Sequence, residues 1–222
     1  MSIAENLKRI KETLPPHVYL VAVSKMKSEE EIMEAYQAGQ RIFGENKIQE
    51  MVRKWEALPK DIQWHMIGHV QRNKVKYMAG FVSLVEGVDS ERLLREIDKR
   101  AAQNDRVIDC LLQVHIARES TKFGFDDDEL RGLMERGIPE ELKNVRIRGL
   151  MGMATFTENQ EQIRSEFRHL KALYDELFAG REGADILSMG MSGDYQIAVE
   201  EGSTMVRIGS SIFGPRPCQL QV

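Results

Sequence analysis

Lys25 ends an apolar run, Val18-Tyr19-Leu20-Val21-Ala22-Val23-Ser24-Lys25, a setting in which a lysine could do chemistry. At a strand end facing a partly desolvated mouth, the ammonium form is disfavoured, and a neutral lysine amine forms Schiff bases with carbonyl compounds. The charge of neighbouring Lys27 would favour the neutral amine further. Taken alone, Lys25 is read more simply as a lysine that snorkels out of the strand end. Two turns rich in small residues come late in the chain, Gly190-Met191-Ser192-Gly193-Asp194 and Gly209-Ser210-Ser211. Small residues let backbone N–H groups approach a phosphate, and a helix N-terminus adds a favourable dipole. Either turn could be no more than a tight bend. Together with Lys25 they favour a phosphate-bearing ligand.

Other reactive side chains form no constellation. His65 and His69 are four apart but span a strand end, which disfavours a metal pair, and His115 and His169 lack ligand-spaced partners. Asp126-Asp127-Asp128 reads as a charge cluster at a helix start, and Arg72, Lys74 and Lys76 as a solvated basic face. Gly190-Met191-Ser192-Gly193-Asp194 is not the GxSxG of a hydrolase elbow. The two cysteines, Cys110 and Cys218, have no zinc-ligand spacing, and Cys110 reads as a buried small hydrophobe. A net charge of -4, from 31 Lys+Arg against 35 Asp+Glu, argues against a general nucleic-acid binder. No stretch reaches the roughly 18–20 apolar residues of a membrane span. Acidic and polar residues interrupt the first residues, so no signal peptide is expected, and the protein reads as cytoplasmic.

These residues need a scaffold, and the pattern supplies one. An amphipathic helix is expected over 3–14, stopped by Pro15-Pro16. Strands are then expected at 18–25, 41–44, 62–68, 82–88, 107–115, 145–151, 186–189 and 205–208. Helical patterns separate them, at 28–36 (capped by Ser28 and ended by Gly39), 47–55, around Lys74 and Tyr77, 90–103, from Asp126, 159–178 and 195–201. Eight strand–helix repeats predict a closed parallel (β/α)8 TIM barrel, one domain over 1–222. An open doubly wound sheet is the alternative, but the first turn, Ser24-Lys25-Met26-Lys27, has no GxGxxG. In a barrel, Lys25 and both small-residue turns fall at the carboxyl ends of strands, where active sites sit, and the last two loops often hold phosphate.

Several blocks resemble a known family. Val21-Ala22-Val23-Ser24-Lys25, Phe43-Gly44-Glu45-Asn46, Trp64-His65-Met66-Ile67-Gly68-His69-Val70-Gln71-Arg72-Asn73-Lys74, Leu187-Ser188-Met189-Gly190-Met191-Ser192-Gly193-Asp194 and Val206-Arg207-Ile208-Gly209 are similar to the YggS/PROSC family of pyridoxal 5′-phosphate (PLP) homeostasis proteins. Glu119-Ser120-Thr121-Lys122-Phe123-Gly124-Phe125 and Gly149-Leu150-Met151 look like further blocks. That family is related in fold to the barrel domain of alanine racemase, the fold-type-III PLP-binding type. The resemblance implies that Lys25 carries the cofactor as an internal aldimine. It implies that Ser192, with the backbone around Gly190 and Met191, and Gly209 with Ser210 hold the phosphate. Arg207 would lie beside the pyridine nitrogen and Asn46 near the phenolic oxygen. Ser210 stands where a threonine is common, Lys47 where an aromatic is common and His115 where an asparagine is common.

The resemblance also frames the choice between carrier and enzyme. An arginine stays protonated, so a pyridine nitrogen beside it stays neutral and the ring is a poorer electron sink. Racemisation also needs a second base on the opposite face. In alanine racemase-like enzymes that base is a tyrosine from a separate β domain, which this chain is expected to lack. The expected function is therefore PLP binding for vitamin B6 homeostasis and delivery, with apo PLP-dependent enzymes as partners and no defined turnover. A weak fold-type-III amino-acid racemase is one alternative. A sugar-phosphate-binding barrel with a Schiff-base lysine is another.

Overall fold

The computed structural model describes residues 2–118 and 123–215. The strands are β1 (Tyr19–Val23), β2 (Ile42–Glu45), β3 (Gln63–Met66), β4 (Leu84–Val88), β5 (Ile108–Val114), β6 (Val145–Gly152), β7 (Ile186–Ser188) and β8 (Met205–Ile208). They pair in sequence order into a closed barrel, and β1 returns to β8 through parallel pairs from Tyr19↔Met205 to Ala22↔Ile208. Around them run α1 (Ile3–Thr13), α2 (Glu29–Gln37), α3 (Ile48–Ala57), α4 (Val75–Met78), α5 (Glu91–Ala102), α6 (Asp127–Glu135), α7 (Ile138–Glu141), α8 (Gln160–Phe178), α9 (Tyr195–Glu200) and α10 (Ser210–Phe213). The predicted (β/α)8 architecture is the observed one.

Local chemistry explains where the elements begin. Ser28 accepts the Glu31 backbone N–H at 3.2 Å while the Glu31 carboxylate accepts the Ser28 N–H at 2.9 Å, a reciprocal cap that fixes the first turn of α2. Ser2 and Asp126 make the same arrangement for α1 and α6. Strand side chains alternate inward and outward. The inward set packs Val21, Leu84, Leu111, Met151, Ile186 and Met205 into an apolar plug. Outward residues such as Phe43 and Trp64 join buried helix residues such as Met51, Leu94, Ile97 and Phe167 in the larger core. Cys110 is fully buried, as expected, and burial pushes its thiol well above the usual range. Cys218 lies outside the described residues.

The structure departs from the sequence reading in three places. The expected strand through Lys25 ends at Val23, because the Ser24 carbonyl leaves the ladder to accept the Lys54 ammonium (2.7 Å) and the Lys27 N–H (3.0 Å). The expected basic helix is a 3₁₀ turn, Arg72–Lys74, followed by the short α4. The four-residue helices α7 and α10 are too short to show a helical period, so the sequence carries no signal for them. Among the described residues, no helix is long and apolar enough to cross a membrane.

Replacing Ser28 by alanine removes a cap bond and is expected to cost about 1 kcal/mol. For a chain of this size the midpoint of thermal unfolding should fall by roughly 2–4 °C. An unchanged midpoint would show that the cap contributes nothing to α2.

Candidate functional site

Lys25 sits half-buried two residues beyond β1, in a turn whose flanks are both anchored. On one side, Met26 adopts a left-handed backbone (φ 62°), an unusual conformation for a residue other than glycine. Its N–H donates to Glu50 Oε1 at 2.6 Å. Lys54 stands behind this turn, fully buried, and donates to Ser24 O, Glu45 Oε1 and Glu50 Oε1, each at 2.7 Å. Those three acceptors satisfy all three ammonium hydrogens. Ser24 Oγ adds a bond to Glu45 Oε1 at 2.6 Å. Burial pushes the Glu45 carboxyl up, against the pull of Lys54 and Ser24. Burial also opposes the Glu50 charge, yet Lys54 and the Met26 N–H hold it below the usual carboxylate range. On the other side, Lys27 is tied to Glu31 Oε1 (3.1 Å) and to the Phe213 carbonyl (3.0 Å). Lys27 thus fastens the β1 turn to α10, and Lys25 lies between the two anchors.

The two late turns meet at the same mouth. Gly209 donates its N–H to Ser192 Oγ at 3.3 Å, which joins the loop after β8 to the loop after β7. Gly209 also presses on the end of β1, where a Cβ would lie 3.2 Å from both Val23 Cβ and Val23 O. The turn at Gly190 has φ 102°, and a Cβ there would lie 2.7 Å from Ala198 Cβ. Asp194 closes this turn by accepting the Met191 N–H at 2.6 Å, and burial raises its carboxyl against that bond and the charge of Arg207. Ser210 begins α10 and is exposed, and Ser192 is half-buried beside it. Asn46 follows β2 at the same end of the barrel and is half-buried.

Arg207 points into the barrel from β8 and is 3 % exposed. Its Nη1 donates to Ser188 Oγ at 2.5 Å and its Nη2 to the Gly152 carbonyl at 3.1 Å. Burial pulls its pKa down, opposed by Glu86 and Asp194. Ser188 Oγ donates its hydroxyl hydrogen bond to Glu86 Oε2 (2.7 Å), and Glu86 Oε1 meets His65 Nδ1 at 2.8 Å. Burial works against the Glu86 charge, but His65, Arg207 and Ser188 hold its carboxyl below the usual range. His69 instead meets Asp89 (2.7 Å) and packs on the Phe123 ring, so the two histidines serve different carboxylates. His115 is half-buried at the end of β5.

Lys25, Asn46, Met191, Ser192, Arg207, Gly209 and Ser210, the residues singled out from the sequence, thus all lie near or just beyond the carboxyl ends of β1, β2, β7 and β8, at one end of the barrel. Sequence reasoning missed Lys54, Glu86 and Ser188. The signal was present: Glu45 and Glu86 each sit in an apolar strand, and a buried carboxylate requires a cation or donors. Lys54 itself looks like half of an ordinary Glu50–Lys54 surface pair at helical spacing. Replacing Lys54 by methionine would leave the Glu45 carboxylate buried without its cation and release the Ser24 carbonyl. The expected cost is about 3–5 kcal/mol of stability, read by denaturant unfolding, and a loss below about 1 kcal/mol would remove the network from this role.

Comparison with known proteins identifies the family. The family model described as alanine racemase, N-terminal domain, matches residues 1–217. A relative from Aquifex aeolicus (strain VF5), named pyridoxal phosphate homeostasis protein, is 44% identical over 199 residues, covering 89% of this chain and 86% of that protein. The structure of PipY from Synechococcus elongatus, solved with PLP bound, is 36% identical with a TM-score of 0.86, covering 96% of this chain and all (100%) of that one. An alanine racemase from Clostridium difficile 630 shares the fold at 15% identity and a TM-score of 0.78, and this chain spans 98% of itself but 58% of that protein. The chain belongs to the alanine racemase N-terminal domain family and, within it, to the pyridoxal phosphate homeostasis proteins.

Proposed function

We propose that this barrel binds pyridoxal 5′-phosphate through Lys25 and holds it for delivery to apo PLP-dependent enzymes in the cytoplasm, without turnover of its own. The observation that carries the reading is a convergence. The Ser192–Gly209 bond joins the two candidate phosphate loops, and Gly209 rests on Val23, two residues before Lys25. A phosphate held there lies beside the β1 end that carries the lysine.

When bound, PLP supplies an aldehyde for an amine and a ring that withdraws electrons from what is attached to it. Lys25 Nζ is the amine that makes the covalent link. Ser192 and Ser210 hydroxyls, with the backbone at Gly209 and the Gly190–Met191 turn, hold the phosphate. The Met191 N–H is held by Asp194, so it serves the phosphate where that carboxylate yields. Arg207 donates to the ring nitrogen and keeps it unprotonated, and Asn46 donates to the phenolic oxygen. The name of the Aquifex relative and the PLP in PipY support this assignment.

The tyrosines favour a carrier over a racemase. Tyr19 opens β1, at the end of the barrel away from Lys25, and Tyr77 is 56% exposed on α4. The other three are engaged on the outer helices: Tyr36 with Asp61, Tyr174 with the Ala184 carbonyl and Tyr195 with Thr13. Among the described residues, none supplies a phenol opposite Lys25.

Three outcomes test the reading. Protein loaded with PLP should absorb in the visible, and Lys25→Ala should abolish that band while leaving the fold intact by circular dichroism. A band that persists in Lys25→Ala would assign the link to another amine. Ser192→Ala and Ser210→Ala should each remove one bond to a charged oxygen, roughly tenfold or more in PLP affinity, with backbone donors retaining part of it. Unchanged affinity in the double variant would move the phosphate elsewhere. Deuterium wash-in at the α-carbon of alanine or serine should be slow, because a missing general base removes roughly 10²–10⁴-fold of rate. Exchange with inversion at roughly 1 s⁻¹ or faster would establish a racemase instead.

A further inference from the structure

We infer that Glu86 is a positioning residue for the cofactor: acting across the barrel through Ser188, it fixes Arg207 as the donor to the cofactor's ring nitrogen. The inference rests on the PLP reading of the mouth. The relay has a defined direction. A serine hydroxyl can donate one hydrogen bond, and Ser188 donates it to Glu86 Oε2 (2.7 Å) while accepting from Arg207 Nη1 (2.5 Å). Glu86 Oε2 also lies 3.7 Å from Arg207 Nη1, so the guanidinium has its counter-charge within ion-pair range. His65 Nδ1 holds the second Glu86 oxygen at 2.8 Å, and the Gly152 carbonyl holds Arg207 Nη2 at 3.1 Å.

These contacts join β3, β4, β6, β7 and β8, and the Glu86 side chain at their centre is fully buried. A guanidinium offers five N–H donors in a rigid plane, so fixing two edges of that plane also fixes where the rest point. The position also follows from electrostatics. An arginine 3% exposed inside a barrel needs a fixed anion, and Glu86 is the carboxylate in ion-pair range of it. Ser188 converts that attraction into an orientation, because it dictates which guanidinium edge faces Glu86. None of these residues needs to touch the cofactor for the effect to reach it.

The experiment uses two ligands, PLP and its deaza analogue in which CH replaces the ring nitrogen. Each is loaded onto the protein, and the fraction retained after desalting is followed by mass spectrometry. Wild type should release the analogue about tenfold or more faster than PLP, the loss of one charged hydrogen bond. Glu86→Gln should release PLP as fast as the analogue while leaving release of the analogue unchanged. Ser188→Ala, a smaller change that keeps both charges, should narrow the difference in the same direction and covers the case in which Glu86→Gln does not fold. Equal acceleration of both ligands would make Glu86 a general structural residue, and an undiminished difference would remove it from the ring nitrogen. Either result overturns the inference and leaves the PLP reading standing. Wild type and Arg207→Gln that both hold the two ligands alike would take Arg207 itself away from the ring nitrogen, and the inference would fall with that part of the reading.

Discussion

A fully buried ammonium, Lys54 Nζ, is the interaction on which the Lys25 turn depends. It gives its three hydrogens to Ser24 O, Glu45 Oε1 and Glu50 Oε1, residues of the β1 turn, of β2 and of α3. Removing charges from water is costly, and the cost is recovered only when every hydrogen and lone pair nearby is well placed. The network meets that condition at the ammonium but not at Glu45 Oε2, which is buried without a hydrogen-bond partner, and it passes the constraint on. Glu50, held by Lys54, accepts the Met26 N–H and so holds a left-handed residue directly after Lys25. Backbone strain of about 1–3 kcal/mol persists only where the surroundings over-determine it. Here it fixes the backbone immediately after Lys25.

The inside of the barrel shows a second division. Its floor is the apolar plug around Val21, Leu111 and Met205, and above it lies the polar set of His65, Glu86, Ser188 and Arg207. The plug keeps water from below, so the charges above interact in a low dielectric. That arrangement suits a site that holds a ligand in one orientation. With PLP bound as proposed, Arg207 would stand beside the ring, and among the described residues no phenol would face Lys25, an arrangement that favours retention over turnover. The Asp194 carboxylate holds the Met191 N–H in the loop after β7, and burial raises its carboxyl against that bond.

Much of this was legible from the sequence because the fold is periodic. Eight short apolar runs alternating with helical patterns point to a barrel, and the Ser28, Ser90, Asp126 and Asn159 caps fall where side-chain oxygens precede apolar periods. Lys25 stood out because a charge closes an otherwise apolar run. The two late loops stood out through their small residues. What escaped was long-range pairing. Nothing local distinguishes Lys54 from a solvent-facing lysine, because its partners Ser24 and Glu45 are 30 and 9 residues away in the chain. Ser188 and Glu86 are 102 residues apart and meet only once the barrel closes. Buried polar networks of this kind follow from topology, and local pattern does not carry it.

The central claim is that, of the amines in this chain, the Lys25 amine is the one the barrel presents to the cofactor. Reduction of PLP-loaded protein with sodium borohydride makes the link permanent, and proteolysis with mass spectrometry then locates it. The account predicts one dominant adduct, on Lys25, at close to one per chain. An adduct on Lys27, already committed to Glu31 and Phe213, or on Lys74 would contradict it.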